Sequence, residues 1–98
     1  MSTRTIAVIP AHNESATIAD VVARSVPHVQ QVLVIDDGSS DDTEAKAAAA
    51  GARVIRLVPN QGKGAALRRG LEEALAAGAE AVVTLDADGE HHPEDIPA

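Results

Sequence analysis

Residues 31–43 read QVLVIDDGSSDDT, and the change from apolar to acidic inside them decides the fold. The first part, QVLVID, is a near-continuous β-branched run. A run of this kind describes a strand buried on both faces of a parallel sheet, since a strand with one wet face would alternate. The second part holds no large apolar residue. Ser39, Ser40, Asp41 and Asp42 supply caps and negative charge for a helix start, and the alanine tract at 47–50 carries that helix to Gly51. A strand that passes directly into a helix is the beginning of a βαβ unit.

The same pattern recurs on either side. Apolar runs stand at 5–10 (TIAVIP), 53–58 (RVIRLV) and 81–86 (AVVTLD). The first and last are read as buried strands like QVLVID; RVIRLV, with Arg56 set between Ile55 and Leu57, reads as an edge strand. Ile18, Val21, Val22 and Val26 fall on one face of a helix that ends before Pro27. Leu67, Leu71 and Leu75 mark another, closed by Gly78, and Pro93 opens a last one. The fold class predicted is α/β: a Rossmann-like parallel sheet with flanking helices and right-handed crossovers. The expected strand order is 3-2-1-4, with the sheet reversing direction between the first and fourth strands.

Composition narrows the function. A chain of 98 residues is one small domain. Its aromatic content is 0%, so the core must be built from Val, Ile, Leu and Ala and is thin. The absence of Cys removes disulfides, thiolate metal sites and a Cys nucleophile. A net charge of -7 argues against general affinity for nucleic acid or an anionic membrane surface. The N-terminal apolar run is broken by Pro10 and His12, too short for a signal peptide or a span, and the chain reads as a cytoplasmic domain.

In open α/β sheets, ligands bind beyond the carboxyl ends of the strands. Those positions are all polar here: Pro10-Ala11-His12-Asn13-Glu14, Asp36-Asp37-Gly38-Ser39, Asn60-Gln61-Gly62-Lys63-Gly64 and Asp86-Ala87-Asp88-Gly89. Any one of them alone can be a turn. Together on one rim they indicate a site. Asp86 and Asp88, at i and i+2 of a segment read as extended, point the same way. They suit a hard divalent cation completed by phosphate oxygens and water, the alternative being a solvated acidic loop. The Gly62-Lys63-Gly64 helix start suits an anion or is a flexible terminus, and it lacks the spacing of a Walker A loop. Glu90, His91 and His92 read as a solvated loop rather than a metal site, and His28 as surface.

At this point the chain resembles the family-2 nucleotide-sugar glycosyltransferases of the GT-A fold. VIPAHNESATI, VLVIDDGSSDDT, NQGKGAALRRG and TLDADGEHHPEDIP stand in that family's order along the whole chain. The last is most similar to members that glycosylate polyprenyl or dolichyl phosphate. The resemblance implies that residues 1–98 are the nucleotide-sugar-binding, N-terminal part of a glycosyltransferase domain. Pro10, Ala11, His12 and Glu14 would line the nucleotide pocket, with His12 where many relatives carry Tyr. Asp36 and especially Asp37 would contact base or ribose, with Lys63 near the nucleotide. Asp86, Ala87 and Asp88 would form a DxD segment in which Asp86 and Asp88 hold Mg²⁺ or Mn²⁺. Glu90 stands where Gln is common. The donor would be a UDP- or GDP-linked sugar, and the acceptor a polyprenyl phosphate at a membrane surface, making the whole protein membrane-peripheral. Family members carry a general base in an acceptor-binding half. No such base is identified here, and it is expected beyond residue 98.

Two other classes compete. An inactive nucleotide- and metal-binding module would bind the donor and transfer nothing. A receiver-type signalling domain fits VLVIDDG and VVTLD but requires the acidic pair on the first strand. A phosphatase-like DxD fails in the same way, because the first strand ends in Pro10-Ala11-His12. A final expectation is self-association as a homodimer through the apolar edge at Val82, Val83, Leu85 and Ile96.

Overall fold

The computed structural model describes residues 4–88. In chain order these form β1 (Thr5–Ala11), α1 (Ile18–Ser25), a single 3₁₀ turn (Val26–His28), β2 (Gln31–Asp36), α2 (Thr43–Ala49), β3 (Arg53–Arg56), α3 (Lys63–Ala76) and β4 (Ala81–Thr84). The sheet is parallel with order β3-β2-β1-β4, as expected. The predicted helix start at Pro93 and the Glu90, His91 and His92 loop lie outside the described residues.

The apolar runs are continuous because both faces of the sheet are covered. Ala7, Ile9 and Ala11 of β1 join Val32 and Val34 of β2 in a core closed by Ile18, Val21 and Val22 of α1 and Ala47 of α2. Ile6 and Val8 join Leu33 and Ile35 in a second core beneath Ala66 and Ala74 of α3. The chain steps outward from β1 to β3 and then returns to β4 on the other side of β1. With crossovers of one hand, that reversal puts α3 on the face opposite α1 and α2.

Two expectations change. The leucine stripe does not define the buried face of α3: Leu71 is exposed and Leu75 is 67% exposed, while Ala66, Gly70 and Ala74 are buried. Small residues face the sheet because the helix lies close against it. A Cβ on Gly70 would stand 2.3 Å from Val8 Cγ1 and 3.2 Å from Ile35 Cγ1. The fourth strand is also shorter and wetter than QVLVID. It ends at Thr84, and Val82 and Val83 are half-buried because no strand pairs its outer side among the described residues. RVIRLV is an edge strand, as its pattern predicts.

The helix starts are tied to the loops around them. Thr43, fully buried at the start of α2, accepts a hydrogen bond from the Glu14 N–H at 3.0 Å. Its hydroxyl in turn donates to the Asp41 carboxylate, which also accepts the Thr43 N–H at 3.0 Å and the Ser15 N–H at 3.3 Å. Donors aimed at the charged form favour it. The Thr43 hydroxyl above all, with the Thr43 and Ser15 contacts, holds the Asp41 carboxyl down from its ordinary 3.8 to about 2.

Two outcomes follow from this packing. Gly70→Ala should destabilise the fold despite the gain of about 1 kcal/mol in helix propensity. The new methyl meets a stiff β-branched side chain in a filled core, an overpacking cost of about 1–3 kcal/mol. Urea unfolding measures the difference, and a more stable variant would contradict the close approach. Asp41 has a lowered folded-state pKa, so its contribution to stability is complete above the unfolded value and is lost as pH falls towards about 2. Carbon-13 titration of Asp41 should give a midpoint near 2, and Asp41→Asn should remove that part of the acid dependence.

Candidate functional site

The crevice opens where β1 and β4 separate. Their register ends at Val8 opposite Thr84, and one further bond runs from the Leu85 N–H to the Val8 carbonyl at 3.1 Å. Ala11, by contrast, accepts the Asp37 N–H at 2.8 Å on the β2 side. Even-numbered residues of β1 therefore turn their backbone groups towards β4. Pro10, which has no N–H, falls on that side just after β4 has left, so no ladder bond is lost in this central strand.

Around the crevice is a cavity of about 140 Å³ lined by Pro10, Ala11, His12, Glu14, Asp37, Lys63, Ala66, Asp86, Ala87 and Asp88. Closed small-molecule sites run to about 300–1,000 Å³, so the described residues make one wall of a site. Of the residues that the family resemblance assigns to nucleotide or metal, all but Asp36 lie on that wall, whereas Asn13, Gly38, Ser39, Asn60, Gln61, Gly62 and Gly64 of the polar strand ends do not line it. Ala66 is the addition; it sits one turn along α3 from Lys63, a helical spacing that could have found it.

Asp86 and Asp88 share the cavity for a different reason from the one expected. The strand has ended, and Ala87 and Asp88 lie in a turn. Leu85 and Ala87 are buried in the core on the α1 side, and the Ala87 carbonyl accepts the Thr17 hydroxyl at 2.6 Å. Alternate residues thus anchor the segment, which leaves both carboxylates on the cavity side. Asp86 Oδ1 already holds one positive charge, the Lys63 ammonium at 3.0 Å. Hard oxygen donors that attract a cation here fit Mg²⁺ or Mn²⁺. Among the described residues no group of three acidic, His or Cys side chains converges, so the wall itself offers such an ion the two carboxylates of Asp86 and Asp88.

Asp37 is 3% exposed and its carboxylate organises the neighbouring loop. Oδ1 accepts the Gln61 N–H at 2.7 Å, and Oδ2 accepts the Gly62 N–H at 2.8 Å and the Asn60 amide at 3.1 Å. These are the N–H groups of the two residues that lead into α3, Gly62 being its N-cap position, so the carboxylate fixes the entry to the helix and hence Lys63. The Asp37 carbonyl accepts from His12 Nδ1 at 2.8 Å. A carbonyl can only accept, so in this bond the hydrogen is on Nδ1. Gly38 makes this close assembly possible: its φ is +67°, and a Cβ there would lie 2.8 Å from the Asn60 backbone nitrogen.

Asp36 differs. It is fully buried, bound to Arg56 Nη1 at 2.8 Å and to the Ser39 N–H at 3.1 Å, and does not line the cavity. Arg56 was read from the sequence only as a residue of an edge strand. It is one of two arginines in β3, and only the register of β2 with β3 sets it opposite Asp36.

The comparisons with known proteins agree with this geometry. The sequence model of Glycosyl transferase family 2 matches residues 6–98, and the chain belongs to that family. Among its relatives is the glucosyl-3-phosphoglycerate synthase of Mycobacterium tuberculosis, 42% identical over 97 residues, covering 87% of this chain and 29% of the relative. Another is the polyprenol monophosphomannose synthase of Mycolicibacterium smegmatis, 35% identical over 102 residues, covering 95% of this chain and 38% of the relative. The M. tuberculosis synthase in complex with Mn²⁺, UDP and glucosyl-3-phosphoglycerate superposes with a TM-score of 0.77 at 36% identity, over 94% of this chain and 36% of that one. The same synthase is also known with Mg²⁺ and UDP. The chain spans about a third of the length of the curated relatives it matches. No described helix is long and apolar enough to cross a membrane.

Gly38→Ala tests the assembly. The β-carbon meets backbone rather than a movable side chain, so the Asn60-Gln61-Gly62 loop must shift. Amide hydrogen exchange at Gln61 and Gly62 should quicken at least about tenfold, with β1 unchanged, as local opening becomes cheaper. Unchanged protection would show that Gly38 and Asn60 are not packed as described.

Proposed function

We propose that the cavity binds a nucleotide-diphosphate sugar and that the protein transfers the sugar to a phosphate-bearing acceptor. The observation that carries this is the convergence of Asp37, Lys63, Asp86 and Asp88 at the point where β1 and β4 part, in a chain of this family. Pro10, Ala11, His12 and Glu14 form the wall for the nucleoside, beside Asp37. Lys63, at the N-terminal end of α3, faces the diphosphate. Asp86 and Asp88 hold Mg²⁺ or Mn²⁺, which when bound neutralises the departing diphosphate. Asp36 acts from below through its hydrogen bonds. No described residue is assigned the role of general base, which inverting transfer requires to deprotonate the acceptor.

A UDP-linked donor is favoured, because the M. tuberculosis synthase that superposes on this chain is known with UDP. For the acceptor, the TLDADGEHHPEDIP segment and the polyprenol monophosphomannose relative support a polyprenyl phosphate. The higher identity to the glucosyl-3-phosphoglycerate synthase supports a second reading, a small phosphorylated acid such as phosphoglyceric acid. A binding module without transfer is the outcome if donor binds and neither acceptor is glycosylated.

Calorimetry should show UDP binding with Mn²⁺ or Mg²⁺ and almost none with chelator, since Asp86, Asp88 and the diphosphate otherwise repel one another. Asp88→Ala should weaken Mn²⁺-dependent binding about tenfold or more, no less than the loss seen when outer-shell partners of a metal are removed. Equal binding by wild type and variant would remove Asp88 from the metal site.

A further inference from the structure

Beneath the cavity, out of reach of its contents, a guanidinium joins three segments of the chain. Arg56 is the last residue of β3. Its Nη1 donates to Asp36 Oδ2 at 2.8 Å and its Nη2 to the Ser39 carbonyl at 2.7 Å. Asp36 Oδ1 accepts the Ser39 N–H at 3.1 Å, and Ser39 Oγ accepts the Asn13 N–H at 2.8 Å. Glu44 of α2 also faces the guanidinium, at 3.9 Å from Nη1.

We propose that Arg56 is a positioning residue of the nucleotide site, acting through Asp36 and Ser39 on the loops that carry Asp37 and His12. This rests on the reading of the cavity as a nucleotide-diphosphate site. The fork grips residues 36 and 39 from one side, so the Asp37-Gly38 pair between them is thrown towards the cavity. Ser39 passes the constraint to Asn13, next to His12. A lysine cannot replace this, because an ammonium is a point charge and lacks the planar pair of donors. Stability alone does not account for the pair either. Asp36 is fully buried but the Arg56 side chain is 35% exposed, and a pair that is buried on one side only gains little over apolar residues of similar volume, so its value here lies in the geometry it imposes.

The experiment compares Arg56→Met, Arg56→Lys and the double variant Asp36→Asn with Arg56→Met. Met alone leaves Asp36 charged in the interior and can unfold the chain; the double variant removes both charges and should restore the melting temperature. UDP binding with Mn²⁺ is measured on each folded protein, together with amide exchange at Gln61 and Gly62. The double variant should be folded yet bind UDP about ten- to a hundredfold more weakly, the scale of cost for a misplacement of about 1 Å. Arg56→Lys should fall between it and wild type. Affinity that recovers in step with stability would overturn the proposal, leaving Arg56 a structural residue. If wild type itself binds no nucleotide, the reading of the cavity fails. The positioning claim is then decided by amide exchange alone: faster at Gln61 and Gly62 in the double variant supports it, unchanged overturns it.

Discussion

Two adjacent carboxylates, Asp36 and Asp37, are buried at the end of β2, and neither can remain there unpaired. Successive residues at a strand end turn opposite ways, so the two cannot share a partner. Asp36 turns down to Arg56 and Asp37 turns up to the Gln61 and Gly62 N–H groups that lead into α3. Satisfying the first fixes where β3 must end. Satisfying the second fixes where α3 must start. The edge strand, the loop at 58–62 and the position of Lys63 all follow from this division.

The sheet supplies the rigid base for these contacts. Ile6, Ala7, Val8 and Ile9 of β1 are wholly buried, with strands on both sides and helices on both faces. A core without aromatic side chains cannot fill wide gaps, and the close approach of α3 at Gly70 narrows the space to what Val, Ile and Leu can occupy. The site benefits directly. A helix held that near to β1 presents its N-terminal end beside Pro10 and Ala11, in reach of an anion lying over the strand tips.

The Lys63–Asp86 ion pair puts both signs of charge on one wall of the cavity. The ammonium neutralises one carboxylate of a strongly acidic chain. Both partners are partly open to solvent, so the pair contributes little to stability and is readily exchanged for stronger partners. Asp86 and Asp88 themselves stay in place because Leu85 and Ala87 are buried between and beside them.

Much of this was legible in the residues. The β-branched runs required strands covered on both faces, their alternation with helical patterns required a parallel sheet, and the polar strand ends located the rim. These are local properties, each set by the few residues that show it. Helix orientation was not of that kind. Leu67, Leu71 and Leu75 have the spacing of a buried stripe, yet what α3 buries depends on how near it comes to β1, and Val8 decides that through Gly70. Asp36 and Asp37 likewise look equivalent as letters. Only the fold brings Arg56 from twenty residues away beneath one of them and the Gln61 and Gly62 amides above the other. A buried charge takes its role from the partner that reaches it, and that partner is chosen by the tertiary structure.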